Sequence, residues 1–211
     1  MFSDFILVRH GETEYNRKLI IQGWQDVPLN ETGHRQAVLT ARVLRDEVFD
    51  EVWASDLKRT METAEHILEF HPGIPVHPCS GLREWKLGIL QKKSHDEIKR
   101  TLPEMSEMLA REDIDLEIPG GERRSEFQKR IEETFRQIAA VSSGKRILVV
   151  THGGVLARVF RFLHRGPAPQ RIRIPGNASV SRIRFDHETG HWAVLEWDKG
   201  NLPREITPPA L

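Results

Sequence analysis

Phe5-Ile6-Leu7-Val8-Arg9-His10-Gly11-Glu12-Thr13 is a short apolar run that stops abruptly in an arginine, a histidine and a glycine. Four apolar residues after Ser3-Asp4 predict a strand buried on both faces, and open parallel sheets gather ligands at the carboxyl ends of such strands. Arg9 and His10 fall at that edge. Gly11 is expected to turn the chain sharply and bring its N–H to a ligand, while the neutral imidazole of His10 offers a lone pair near pH 7. Taken alone, the stretch fits equally a strand that merely ends in two polar residues. A second buried run, Arg146-Ile147-Leu148-Val149-Val150, ends in the same manner, in Thr151-His152-Gly153-Gly154.

Between these runs the periodicity alternates. From Thr32, read as an N-cap, Ala37, Ala41, Leu44 and Val48 recur on one helical face, and Glu51 to Ala54 reads as a strand. Ser55-Asp56 is read as the cap of a helix with Leu57, Met61, Ala64 and Leu68 inside, ended by His71-Pro72-Gly73. Pro75 to Pro78 is a weak strand. Ser94-His95-Asp96-Glu97 has the form of a capping box, Pro103 restarts a helix, and Ile118-Pro119-Gly120-Gly121-Glu122 closes an excursion from the sheet over about 86–124. A helix with Phe127, Ile131, Phe135 and Ile138 inside follows, then one from Val155 to Leu163. Val180 to Phe185 and Trp192 to Trp197 form a hairpin through Glu188-Thr189-Gly190. Strands alternating with helices predict a three-layer α/β/α fold with a mostly parallel central sheet. The whole chain, 1–211, is expected to be one domain, on a prior of about 150 residues per domain.

Lys plus Arg, 31, balances Asp plus Glu, 31, so no net field draws the protein to nucleic acid or to a membrane, and any affinity for anions must be local. A single cysteine, Cys79, rules out an internal disulfide and suits a reducing compartment. With no basic leader and no long apolar run at the start, the expected location is the cytoplasm.

Arg59 falls in the first turn of a helix that follows a strand, where the macrodipole favours anions, so a bound anion accounts for a cation there. Two arginines and two histidines around one sheet edge suit a phosphoryl group, whose oxygens take fork-shaped donors and whose transfer depends on positioning and charge. One of the histidines would be the nucleophile, taking the phosphoryl group on a ring nitrogen before water does. Glu84, in the loop after the weak strand, is the candidate to protonate the leaving oxygen, since a carboxyl facing a phosphate dianion tends to hold a proton.

With these residues in view the chain resembles the histidine phosphatase superfamily, the phosphoglycerate mutase-like fold. Leu7 to Thr13 with Asn16, Gln22-Gly23-Trp24, Pro28-Leu29-Asn30 and Thr32-Gly33 look like its opening signature. Ser55-Asp56-Leu57-Lys58-Arg59-Thr60 with Thr63-Ala64, Leu82-Arg83-Glu84, Pro119-Gly120-Gly121-Glu122 and Val149 to Gly154 continue it in order, from Asp4 to Phe185. The resemblance implies that His10 is the phosphorylated nucleophile, that Arg9, Arg59 and His152 bind phosphate, and that Glu84 donates the proton. It further implies that Asn16, Gln22, Gly23 and Gly153 belong to the substrate site, with no metal and no cofactor. Two places depart from the pattern. Gln91 and Lys92 stand where an acidic residue and a glycine are usual after Gly88, and Arg123 stands where a serine is usual, which leaves substrate choice open.

Three readings of function follow: a phosphomonoesterase acting on a small phosphorylated metabolite, a phosphoglycerate mutase, and a non-catalytic phospho-ligand binding protein. The short excursion weighs against the mutase, which needs a lid that excludes water, and the full set of polar residues weighs against the last. The expected partner is a small-molecule phosphate monoester, without nucleic acid or membrane, and the expected assembly is a monomer or homodimer. His66, His71 and His77 lack the spacing of a zinc motif and read as solvated or locally bonded. Trp53, Trp192 and Trp197 read as core, whereas Trp24 and Trp85 either pack or line the pocket. Lys92, Lys93, Lys99 and Arg100 are matched by Glu104, Glu107, Glu112 and Asp113, which reads as a mixed solvated surface. Lys86, Lys92 and Arg123 are candidates to meet a second anionic group of the substrate, against the alternative that they face water.

Overall fold

The computed structural model describes residues 1–111, 116–163 and 174–199. The chain runs β1 (Phe2–Arg9), α1 (Glu14–Arg17), α2 (Glu31–Leu44), β2 (Glu51–Ala54), α3 (Lys58–Leu68), β3 (Val76–Pro78), α4 (His95–Thr101), α5 (Pro103–Ala110), α6 (Arg124–Val141), β4 (Arg146–Thr151), α7 (Gly153–Leu163), β5 (Val180–Asp186) and β6 (His191–Lys199). The six strands form one sheet in the order β3-β2-β4-β1-β5-β6. The first four are mutually parallel, and the terminal hairpin joins β1 antiparallel, which gives the mostly parallel sheet that the alternation predicts.

Alternate residues of β1 explain the layers, because successive side chains of a strand point to opposite faces. Phe5 and Leu7 pack with Phe127, Ile131 and Phe135 of α6 and Val155 and Val159 of α7. Ile6 and Val8 pack on the other face with Ala41 and Leu44 of α2 and Ala64 and Ile67 of α3. Both faces of the central strands are therefore dry, and their sequences are continuously apolar for that reason. Among the described residues no helix is long and apolar enough to cross a membrane.

Several local expectations need correction. The α2 N-cap is Asn30, whose side chain accepts from Gly33 N at 2.8 Å, so Thr32 lies inside the first turn. Val48 lies beyond the end of α2 and is 57% exposed, so its place in the helical spacing was coincidental. The α3 N-cap is Leu57, with no side-chain cap bond of its own, and Asp26 Oδ1 accepts from Lys58 N at 2.7 Å instead. Ser55 and Asp56 are drawn away by tertiary partners, His152 and Arg83. Ser94 and Pro103 do open α4 and α5. Glu112 and Asp113 lie outside the described residues.

The excursion is pinned at its base. Gly88 has φ +44°, and a Cβ there would collide with the Pro119 carbonyl; Gly120 has φ +70°. Ile89 N donates to Pro119 O at 3.1 Å, and Glu122 N to Lys86 O at 2.9 Å. Glycine serves both needs, a left-handed conformation and a close backbone approach. Leu90, Ile98, Leu116 and Ile118 make a small apolar core of their own under α4 and α5.

Candidate active site

β1 and β4 are neighbours in register, with Arg9 opposite Thr151, so His10 and His152 each emerge one residue past the strand at the same edge. His10 N donates to Thr151 O at 2.9 Å, and the two rings stand edge to face with centroids 5.2 Å apart. His10 Nδ1 lies 2.7 Å from Gly11 O. A carbonyl only accepts, so Nδ1 carries the proton and Nε2 keeps its lone pair. Burial first, then the charges of Arg59 and Arg9, hold the His10 pKa well below 6.5, so the ring is neutral in this environment.

His152 is buried, its Nε2 is 2.8 Å from Ser55 Oγ, and its Nδ1 accepts from Arg59 Nε at 3.2 Å. Accepting at Nδ1 puts the proton on Nε2, which then donates to the serine. Burial, then Arg59, depresses its pKa well below 6.5 as well. Arg59, 1% exposed, also donates from Nη1 to Gln25 O at 2.8 Å and from Nη2 to Gly23 O at 2.9 Å. Three of the five guanidinium N–H groups are thus used, and two remain for a ligand. Burial lowers its pKa to about 10, which leaves it charged at neutral pH. Arg9 Nη1 donates to Pro175 O at 2.6 Å, whereas its buried Nε has no hydrogen-bond partner.

Glu84 faces these groups from the opposite loop. Its Oε1 accepts from Trp85 N at 2.8 Å and its Oε2 from Gly154 N, at the start of α7, at 2.9 Å. The loop is braced by Arg130 of α6, which donates to the carbonyls of Gly81, Arg83 and Glu84 and pairs with Glu122 at 2.5 Å. Trp24 Nε1 donates to Glu84 O at 2.7 Å.

A cavity of about 610 Å³ opens in front of this edge. Arg9, His10, Asn16, Gln22, Gly23, Arg59 and Glu84 all line it. Asn16 Oδ1 accepts from Thr13 N at 3.1 Å, and Gln22 Oε1 from Thr13 Oγ1 at 3.0 Å, so the amide oxygens fix both side chains at the cavity wall. His152 and Gly153 do not line it: His152 sits behind Arg59, and Gly153 makes room for Arg9, since a Cβ there would stand 3.2 Å from Arg9 Cζ. Gly11 acts differently from its sequence-based role as well. Its N–H donates to Thr63 Oγ1 at 3.1 Å, and its missing Cβ allows close approach to Gly33.

Lys86, Lys92 and Arg123 are also absent from the lining. Lys86 Nζ lies 5.4 Å from the Trp24 ring centre, and Arg123 is paired with Glu117 at 2.9 Å on the surface. From the excursion and the start of α6, His95, Lys99 and Arg124 line the cavity, and Arg158 does so from α7. Trp85 lines it and Trp24 does not. His66 bonds to His34 and Glu69, His71 to Leu44 O, and His77 stacks on Trp53.

Sequence reasoning missed Asn177, whose Nδ2 donates to His10 O at 3.1 Å, and Arg130; a Gly-Asn turn signal at Gly176 was the visible hint for the former.

Residues 5–199 match the histidine phosphatase superfamily (branch 1). The chain is 33% identical over 199 residues to phosphoglycerate mutase-like protein 4 of Arabidopsis thaliana, covering 93% of this chain and 85% of that protein. Among solved structures, YhfR of Bacillus stearothermophilus superposes with a TM-score of 0.84 at 30% identity, covering 94% of this chain and 98% of the other. A mycobacterial glucosyl-3-phosphoglycerate phosphatase does so with a TM-score of 0.82 at 28% identity, covering 95% and 100%. The paired strands that end in histidines, the buried arginines and the match over nearly the whole chain lead to one assignment: this protein belongs to the histidine phosphatase superfamily.

Proposed function

We propose that the protein is a metal-independent phosphomonoesterase that hydrolyses a small phosphorylated metabolite through a phosphohistidine on His10. The observation that carries this reading is the His10 imidazole itself, protonated at Nδ1 by its bond to Gly11 O and held neutral by burial and two arginines. Nε2 attacks phosphorus, the bond from phosphorus to the ester oxygen breaks, and Glu84 gives its proton to the departing alcohol. Water then attacks the phosphohistidine phosphorus as Glu84 takes the water's proton, the bond from phosphorus to Nε2 breaks to return the His10 lone pair, and inorganic phosphate leaves. Arg9 and the two unused donors of Arg59 meet the phosphoryl oxygens, with Asn16 and Gln22 adding amide donors. His152 acts from behind, by holding Arg59 in place.

Leaving-group dependence tests the assignment of roles. An alkoxide needs a proton to leave and a nitrophenolate does not, so Glu84→Gln is expected to slow alkyl phosphate hydrolysis by ~10²-fold or more and nitrophenyl phosphate hydrolysis far less. Equal losses on both esters would remove Glu84 from the proton-donor role. The mutase reading draws on the name of the Arabidopsis relative. Isomerisation of phosphoglycerate stimulated by a bisphosphate, faster than hydrolysis, would replace the phosphatase reading with it.

A further inference from the structure

The phosphoryl group needs only the inner end of the cavity, and at about 610 Å³ the whole is large enough to enclose a drug-sized molecule. Beyond the catalytic residues its wall is drawn from separate parts of the chain: Ile21 after α1, Trp85 after Glu84, Ile98 on α4, Leu109 on α5, Phe127 on α6 and Ala157 on α7. Phe127 belongs to the core beneath the sheet and Ile98 to the small core of the excursion, and Trp85 packs against both. The cavity is therefore a gap at the seam of two apolar clusters, closed at one end by the phosphate-binding edge. Three cations also line it, with Arg158 half-buried on α7. Arg124 lies over the Trp85 ring at 5.1 Å and donates to Leu109 O at 3.2 Å, and Lys99 is on the solvent-exposed side of α4.

We propose that this seam is the leaving-group site and that it selects phosphate monoesters of apolar alcohols, alkyl or aryl, over esters of small polar or acidic ones. The proposal rests on the phosphomonoesterase reading above and adds to it the class of substrate. The departing alcohol leaves with its carbon skeleton against Leu109, Ile98 and Ile21 and takes its proton from Glu84 at the inner end. Water at the outer end is displaced from apolar surface when the skeleton enters, so each methylene gained contributes to binding.

The test is a ladder of straight-chain alkyl phosphates, from ethyl to octyl, measured as kcat/KM on the purified protein with 3-phosphoglycerate and glycerol 3-phosphate alongside. Full burial of a methylene is equivalent to about fourfold, so kcat/KM is expected to rise two- to fourfold per carbon until the seam is filled. Leu109→Asn and Ile21→Asn, both at half-buried positions, are expected to flatten the slope, with folding checked by circular dichroism. A flat ladder in the wild type, or a preference for 3-phosphoglycerate over hexyl phosphate, would overturn the apolar-site proposal and leave the phosphatase reading in place. No turnover of any ester, with no phosphoryl label on His10, would overturn the phosphatase reading and the proposal with it.

Discussion

Gly154→Ala isolates the position of Glu84 from its identity. In the native protein the Gly154 N–H donates to Glu84 Oε2 at 2.9 Å, and a Cβ added to Gly154 would overlap Oε1 and stand 2.9 Å from the carboxyl carbon. To reach an ordinary contact of about 3.5–4.0 Å, the carboxyl group must retreat by about 1 Å. Misplacement of that size costs ~10²-fold in rate where a group must meet its target in a fixed geometry. The retreat is confined because Arg130 and Trp24 hold the Glu84 backbone from behind. Gly154 lies in the first turn of α7, where alanine is the better helix former by roughly 0.5–1 kcal/mol, so the variant is expected to fold and melt as the wild type does or slightly higher. Stopped-time assays on hexyl and nitrophenyl phosphate should show a ~10²-fold loss of kcat on the alkyl ester and less than about tenfold on the aryl ester, because only the former needs the proton. Unchanged alkyl ester kinetics in a folded variant would refute the idea that the Gly154 contact sets the position of the acid.

The remaining predictions concern charge, capping and stability. Because burial and Arg59 depress the pKa of both His10 and His152, the unfolded chain binds their protons near pH 6.5 and the folded chain does not, so stability falls as pH drops below about 6.5. The slope is up to about 1.4 kcal/mol per pH unit for each ring; urea midpoints from pH 7.5 to 5.5 check it, and His10→Gln should reduce the slope. Arg59→Lys loses the fork that reaches Gly23 O, Gln25 O and His152, and kcat/KM on any ester is expected to drop by ~10²-fold or more. Arg123→Ala should leave the kinetics of every ester unchanged, since its half-exposed ion pair with Glu117 lies outside the cavity. Asn30→Ala removes the α2 cap and is expected to cost ~1 kcal/mol in a urea titration, less if water replaces the bond.

The fold and the gathering of Arg9, His10, Arg59 and Glu84 at one sheet edge were legible because their constraints are local. A strand buried on both faces must be continuously apolar, so the polar residues that end β1 and β4 stand out at once, and Glu84 follows a strand at the same sheet edge. What depends on a tertiary partner was less visible. Ser55 and Asp56 have the composition of a helix cap, yet His152 and Arg83 compete for their side chains, and the cap passes to Asp26 from a distant loop. At the start of α6 a single residue of phase decides the outcome: Arg123 is the N-cap and faces solvent, while Arg124, one step on, turns into the cavity. Asn177 carries no periodic signal, and only the close approach of its turn to His10 gives it a role.

The central claim is tested most directly by rapid quenching of the protein during turnover of phosphoryl-labelled substrate, followed by peptide mapping. An acid-labile, base-stable label on the peptide containing His10, formed at the turnover rate and absent from His10→Ala, is the predicted result. Label of the same stability on the His10→Ala protein, or turnover by wild type with no label trapped under conditions that trap it on other phosphohistidine enzymes, would contradict the account.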